Sequence, residues 1–140
     1  RHKEAIYELK KPEICRYCGG IIRLVPAESI YGESADRLGL KGESIYQCQN
    51  CNARVGCHKG TTRPLGNVAN ETLRLKRIET HNVFDAYWKS RKMTRTQAYK
   101  WLANSLGLSD KQAHIGGFEM EQCQRLIELC RKELKTEAAS

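Results

Sequence analysis

A chain of 140 residues with 24 Lys and Arg against 16 Asp and Glu carries a formal charge of +8; its length admits one compact domain or a small module leaning on another, and excludes two large enzyme domains. The longest apolar runs are a few residues, as in Ala86-Tyr87-Trp88, far below the roughly 20 that a membrane-spanning helix needs, so a soluble protein with no membrane partner is expected. The positive balance favours an anionic partner, nucleic acid first.

The first residues, Arg1-His2-Lys3-Glu4, have no apolar core after their charges, so no secretory signal is expected, and an opening at Arg1 in place of methionine suggests a trimmed start. The seven cysteines are an odd number, and the C-terminal half holds only Cys123 and Cys130. A disulfide scaffold would have an even count in a core-poor chain, so a reducing, cytoplasmic compartment is expected.

Cys15-Arg16-Tyr17-Cys18 and Cys48-Gln49-Asn50-Cys51 are two C-x-x-C pairs with 29 residues between them. Each pair on a tight turn aims two thiolates at one point, and two such knuckles complete the tetrahedral Cys₄ site that Zn²⁺ prefers. Gly19 and Gly20 follow the first pair, and Asn50 and Asn52 lie in and after the second, residue types that accept a positive φ. A redox C-x-x-C or free buried cysteines are the plainer readings; duplication at ribbon-like spacing argues against both. Ile21-Ile22-Arg23-Leu24-Val25, Glu28-Ser29-Ile30-Tyr31, Ser44-Ile45-Tyr46-Gln47 and Ala53-Arg54-Val55-Gly56 are rich in strand formers. They predict an antiparallel zinc ribbon, with residues 32–40 an exposed excursion between strands. Four thiolates around Zn²⁺ carry a net −2, which lowers the +8 of the chain to +6.

Residues 58–67 are too rich in Gly, Pro and Thr for regular structure, and Lys59 and Arg63 there fit a plain linker better than a phosphate loop. The expected organisation is a zinc-ribbon module with an N-terminal extension over residues 1–66 and a helical module over 67–140, packed as one compact α+β unit. Asn67 or Asn70 can cap a long helix from Glu71 to about Lys89, with Leu73, Ile78, Phe84, Ala86, Tyr87 and Trp88 at helical intervals. Thr94-Arg95-Thr96-Gln97 is a capping box for a second helix, to Leu106 before Gly107. A further box at Ser109-Asp110-Lys111-Gln112 predicts a turn or two of helix. The last helix runs from Glu119 to about Leu134 with an apolar stripe of Met120, Cys123, Leu126, Ile127, Cys130 and Leu134. Cys123 and Cys130 are therefore core residues, and Trp88, Tyr99 and Trp101 read as packing ahead of base stacking.

Residues 102–109 resemble the first half of a helix-turn-helix, but Gly116-Gly117 would break the recognition helix that should follow. The charge excess has a clearer address. Arg54 to Lys100 holds 11 basic residues against Glu71, Glu79 and Asp85. Lys89, Arg91, Lys92 and Arg95 cluster between two helices, where they suit phosphates of the nucleic-acid backbone, and Arg74, Lys76 and Arg77 add charge on the helix before. His81 and Asp85 stand i, i+4, a spacing that lets a carboxylate orient an imidazole. His58, Asn67 and His81 can be written into the roles of a metal-dependent nuclease, although no acidic metal cluster accompanies them. Cys57, His58, His81 and His114 are the candidates for a second zinc site. No nucleophile elbow is present for a Ser-His-Asp hydrolase.

Cys15-x-x-Cys18, Cys48-x-x-Cys51, Val55-Gly56-Cys57-His58-Lys59-Gly60-Thr61, Pro64-Leu65-Gly66, Leu73-Arg74, His81, Phe84-Asp85, Trp88, Ala98-Tyr99-Lys100-Trp101-Leu102-Ala103 and His114-Ile115-Gly116 together resemble one family. It is the uncharacterised zinc-finger-containing domain family of bacterial, phage and integrative-element proteins, and the likeness spans about Pro12 to Arg131. The resemblance implies zinc on Cys15, Cys18, Cys48 and Cys51 in a bacterial or mobile-element setting. The expected role is a zinc-binding, nucleic-acid-binding accessory protein, with DNA the favoured partner. The alternatives are a zinc-stabilised protein-interaction adaptor and a metal-dependent nuclease.

Overall fold

The computed structural model describes residues 12–139, so residues 1–11 of the expected N-terminal extension lie outside it. The chain divides into two units, Arg1–Glu71 and Thr72–Ser140, and the class is α+β.

The first unit is built on three antiparallel strands, β1 (Ile22–Pro26), β2 (Ser44–Cys48) and β3 (Arg54–Gly56), in the order β1-β2-β3. The register sets Ile22 opposite Cys48, and Tyr46 between Leu24 and Val55. Because side chains alternate along a strand, Tyr46 and Cys48 share one face and Ile45 takes the other. Both faces are buried. Tyr46 and Cys48 join Cys15, Ile22, Ala53, Val55 and Val68 in one core, while Ile45 packs with Ala27 and Ala35 in a second.

That second core corrects two expectations. Glu28-Ser29-Ile30-Tyr31 is a helical turn, α1 (Glu28–Tyr31), and not a strand. Pro26 closes β1, and the amides of Ile30 and Tyr31 both turn back to the Ala27 carbonyl at 3.0 and 2.9 Å. The Ser29 hydroxyl donates to the Pro26 carbonyl at 2.7 Å, and the Glu28 carboxylate accepts from the Gly42 amide at 2.9 Å. Residues 32–40 are likewise no bare excursion: a second short helix, α2 (Ser34–Arg37), buries Ala35 fully. Leu40, Ile30 and Tyr31 close over the same face. The unit extends through Glu71 because Val68 is fully buried and Ala69 exchanges both backbone hydrogen bonds with Arg54, at 2.9 and 3.0 Å.

The second unit comprises α3 (Glu71–Ser90, whose first residue closes the first unit), α4 (Arg95–Leu106), a 3₁₀ turn (Ile115–Gly117) and α5 (Met120–Ala139). The buried face of α3 is Leu73, Arg77, Thr80, Phe84 and Tyr87, a 4-3-4-3 spacing. Ile78 and Ala86, expected on it, are exposed. Arg77 is only 6% exposed because its Nε donates to the Phe118 carbonyl at 2.7 Å, tying α3 to the segment before α5. Thr94 caps α4 through a complete box, with Gln97 N donating to Thr94 Oγ1 at 3.1 Å and Thr94 N donating to Gln97 Oε1 at 2.9 Å. Gly107 ends the helix at φ +67°.

No helix forms at 109–114. Ser109 N does donate to Gln112 Oε1 at 3.1 Å, but only a turn follows. Ile115 and Phe118 then drop into the core, which removes the helix-turn-helix reading and leaves three helices and one 3₁₀ turn where four helices were expected. On α5, Cys123, Leu126, Ile127 and Cys130 are fully buried, while Met120 is exposed. Phe84 meets Tyr99 edge-on at 5.2 Å, and Tyr87 lies 4.6 Å from Trp101, so these aromatics do pack the core. Among the described residues no helix is long and apolar enough to cross a membrane.

Candidate metal centre and basic surface

The first knuckle closes on itself, with Gly19 N donating to the Cys15 carbonyl at 2.9 Å and Cys15 N to the Gly20 carbonyl at 2.8 Å. The second leaves the end of β2, where Cys48 N donates to the Ala53 carbonyl at 2.9 Å; Gln49 N reaches back to Ile21 at 2.9 Å and ties the knuckles together. The four Sγ atoms lie within 4.8 Å of one another, with Cys15–Cys51 at 3.6 Å and Cys18–Cys48 at 3.4 Å. A regular tetrahedron with Zn–S bonds of about 2.3 Å has S–S edges of about 3.8 Å, so the cage fits that ion with little adjustment.

Backbone amides are already aimed at the sulfurs. Tyr17 N and Gly20 N donate to Cys15 Sγ and Cys18 Sγ at 3.4 Å, and Asn50 N and Cys51 N donate to Cys48 Sγ at 3.3 and 3.4 Å. Such bonds spread thiolate charge and orient the ligand atoms. Gly20 is required here for space: a Cβ would sit 2.8 Å from Asn50 Cβ and 2.9 Å from Cys48 Sγ.

With no cation beside them, Cys18 and Cys51 are driven apart in their titration. Hydrogen bonding with Asn50, then with the Gly20 amide and Cys48, lowers Cys18 to about 6. At Cys51 a backbone hydrogen bond from Ala53 lowers the pKa, but burial and the neighbouring cysteines outweigh it and push it up to about 12. A divalent ion resolves this conflict, since it favours the thiolate at every ligand.

Among the described residues these cysteines are the one group of three or more Cys, His, Asp or Glu side chains whose donor atoms converge. Of the second zinc set, Cys57 and His58 belong to the first unit and His81 and His114 to the second, so neither unit gathers the set by itself. The nuclease trio divides the same way, with His58 and Asn67 in the first unit and His81 in the second. Asn67 Oδ1 accepts from the Val68 amide at 2.8 Å. Burial lowers the pKa of His81, with Asp85 opposing and Arg95 reinforcing the shift; Asp85 accepts from Trp88 Nε1 at 2.9 Å.

The four basic residues at the α3–α4 junction separate into two kinds. Arg91 faces inward: its guanidinium lies over Tyr87 at 5.1 Å, and its Nη2 donates to the Glu133 carbonyl at 3.2 Å and sits 3.7 Å from the Glu133 carboxylate. Lys89, Lys92 and Arg95 are exposed, with Lys89 over Trp88 at 5.6 Å and Arg95 over Tyr99 at 5.2 Å. Lys100, five residues beyond Arg95 on α4, is exposed as well and was not among the sequence candidates; the available signal was the acid-free run of sequence that holds it. On α3, Lys76 pairs with Glu79 at 3.5 Å and Arg77 is buried, so neither adds free charge.

Two C-x-x-C knuckles on a three-stranded antiparallel sheet define the first unit as a Cys₄ zinc ribbon. The model of the zinc-finger-containing domain family matches residues 11–133, nearly the whole chain. The protein belongs to that family, and its four converging sulfurs form a metal site of the kind that suits zinc. No curated protein and no solved structure matches the chain.

Proposed function

We propose that this is a nucleic-acid-binding accessory protein, with DNA as the favoured partner in the bacterial or mobile-element cytoplasm. In this reading the zinc ribbon is structural and the helical unit holds backbone phosphates at the α3–α4 turn. One observation carries it: from Ala86 to Ser109 there is no acidic residue, while Lys89, Lys92, Arg95 and Lys100 all reach solvent. Duplex DNA presents one charge per roughly 1.7 Å, so such a run can meet several phosphates and release their counterions. Contacts of this kind position a protein without reading sequence.

The test is fluorescence anisotropy on unrelated duplexes across a salt series. The Lys89→Ala, Lys92→Gly and Arg95→Ala triple variant should lose affinity about equally for all of them. Its log–log salt slope should flatten by about 2 to 3, given roughly 0.9 per phosphate contact. Arg91 is kept, because it braces α3 against α5. Unchanged binding by the folded variant would remove this surface.

The adaptor reading has its own observation. Ile14 and Ile21, paired across an antiparallel bridge, are 62% and 58% exposed, and Tyr17 and Leu24 of the same unit are exposed as well. An apolar contact there would persist at salt concentrations that abolish phosphate binding.

A further inference from the structure

Along one side of α4 the second unit has two adjoining hollows that border the phosphate surface, sharing Arg95 and Lys100 with it. The first, about 350 Å³, is lined by Arg95, Tyr99 and Lys100 from α4 and by Asp110 and His114 from the segment after it. The second, about 410 Å³, shares Lys100 and Asp110 and adds Asn104 and Ser109. Each lies at the small end of the range for ligand sites, roughly 300 to 1,000 Å³. That is room for a single nucleotide and too little for a stacked base pair.

The lining is ordered by chemistry. The Tyr99 ring is held edge-on against Phe84 at 5.2 Å, so it is a fixed plane. The Arg95 guanidinium lies over that ring, 5.2 Å from its centre, so the stacked pair offers a flat, positively charged outer face to a base. Guanidinium and aromatic planes both accept a stacked base, whatever its identity. Lys100 supplies a cation at the junction of the two hollows, where a phosphate would be neutralised. Asp110, on the exposed turn opposite, offers a carboxylate for the amino groups of a base edge.

We propose that this groove takes one unpaired nucleotide of a strand whose flanking phosphates lie on the Lys89–Lys92–Arg95 surface. The inference rests on the phosphate-binding reading and sharpens it, since it makes single-stranded or frayed nucleic acid the preferred form. Arg95 joins the two sites, with one face toward the α3–α4 turn and its guanidinium over Tyr99.

The test uses the zinc-loaded full chain and three labelled probes: a blunt duplex, the same duplex with a single-stranded overhang, and that duplex with an overhang of abasic sites. The two overhangs carry equal charge and differ only in their bases. The wild type should bind the base-bearing overhang about tenfold tighter than the abasic one, within what base–aromatic stacking supplies. Tyr99→Leu, which keeps apolar contact with Phe84, should bring that ratio to about one. Asp110→Ala, on an exposed turn and harmless to folding, should reduce the ratio severalfold. Equal wild-type affinity for the two overhangs, or a ratio retained by both variants, overturns the groove and leaves the phosphate surface standing. Absence of binding to all three probes at low salt overturns both.

Discussion

Lys92 holds φ +57°, and it is the one non-glycine residue with positive φ among those described. Met93 N donates to the Trp88 carbonyl and Lys92 N to the Lys89 carbonyl, both at 3.1 Å, the paired bonds of a Schellman stop at which glycine is usual. A lysine there carries a backbone cost of about 1 kcal/mol that glycine would not. Strain kept at an exposed cation is a reason to look for a role of its charge. Lys92→Gly should therefore raise unfolding stability by up to about 1 kcal/mol while weakening nucleic-acid binding. Urea unfolding and anisotropy on one sample check both signs. A variant that gains stability and keeps full affinity would remove Lys92 from the interface.

The helix boundaries that the sequence announces most clearly are those made by near neighbours. The Thr94–Gln97 box lies within four residues, and both of its hydrogen bonds form. Thr94→Ala should cost about 1 kcal/mol, and Thr94→Ser only a few tenths. Both tryptophans, Trp88 and Trp101, lie in the second unit, so tryptophan fluorescence during urea unfolding reads that unit directly. An equal loss in both variants would mean that the threonine methyl, and not the cap, carries the effect. The Ser109 box had the same sequence form, yet its helix is absent. Ile115 and Phe118 are fully buried just beyond it, and the core they complete outweighs the few hydrogen bonds a short helix would make.

Across the whole molecule, each unit has its own means of stability: a metal cage and two small cores in the first, one larger aromatic and aliphatic core in the second. The seven cysteines report on them separately. Cys57 is partly exposed, the ribbon cysteines would be masked by zinc, and Cys123 and Cys130 are fully buried. Burial pushes Cys123 up and Cys130 to about 12, so both stay as unreactive thiols. Alkylation followed by mass spectrometry should therefore proceed in steps: Cys57 in the native protein, the four ribbon cysteines after a strong chelator, and Cys123 and Cys130 only in denaturant. Labelling of Cys123 with the ribbon cysteines on chelation would show that the second unit depends on the metal.

Read by itself, the sequence determined whatever is local. The two knuckles, the Thr94 cap, the Gly107 stop and the buried stripe from Cys123 to Cys130 each follow from residues within a few positions of one another, whose spacing is the geometry. Tertiary structure decided what depends on a distant surface. Glu28–Tyr31 has strand-forming residues, but it coils because Ala27 and Ala35 are needed against the back of β2, where Ile45 would otherwise face water. Thr80 is buried and Ile78 exposed because the neighbours of α3, and not its own composition, select the covered face. The same holds for the charges. Arg77 and Arg91 look no different in sequence from Lys92 and Arg95, yet the carbonyls of Phe118 and Glu133, 41 and 42 residues away, draw the first two inward. An arginine buries its stem and donates wherever an acceptor is in reach, and only the packed chain brings those acceptors close.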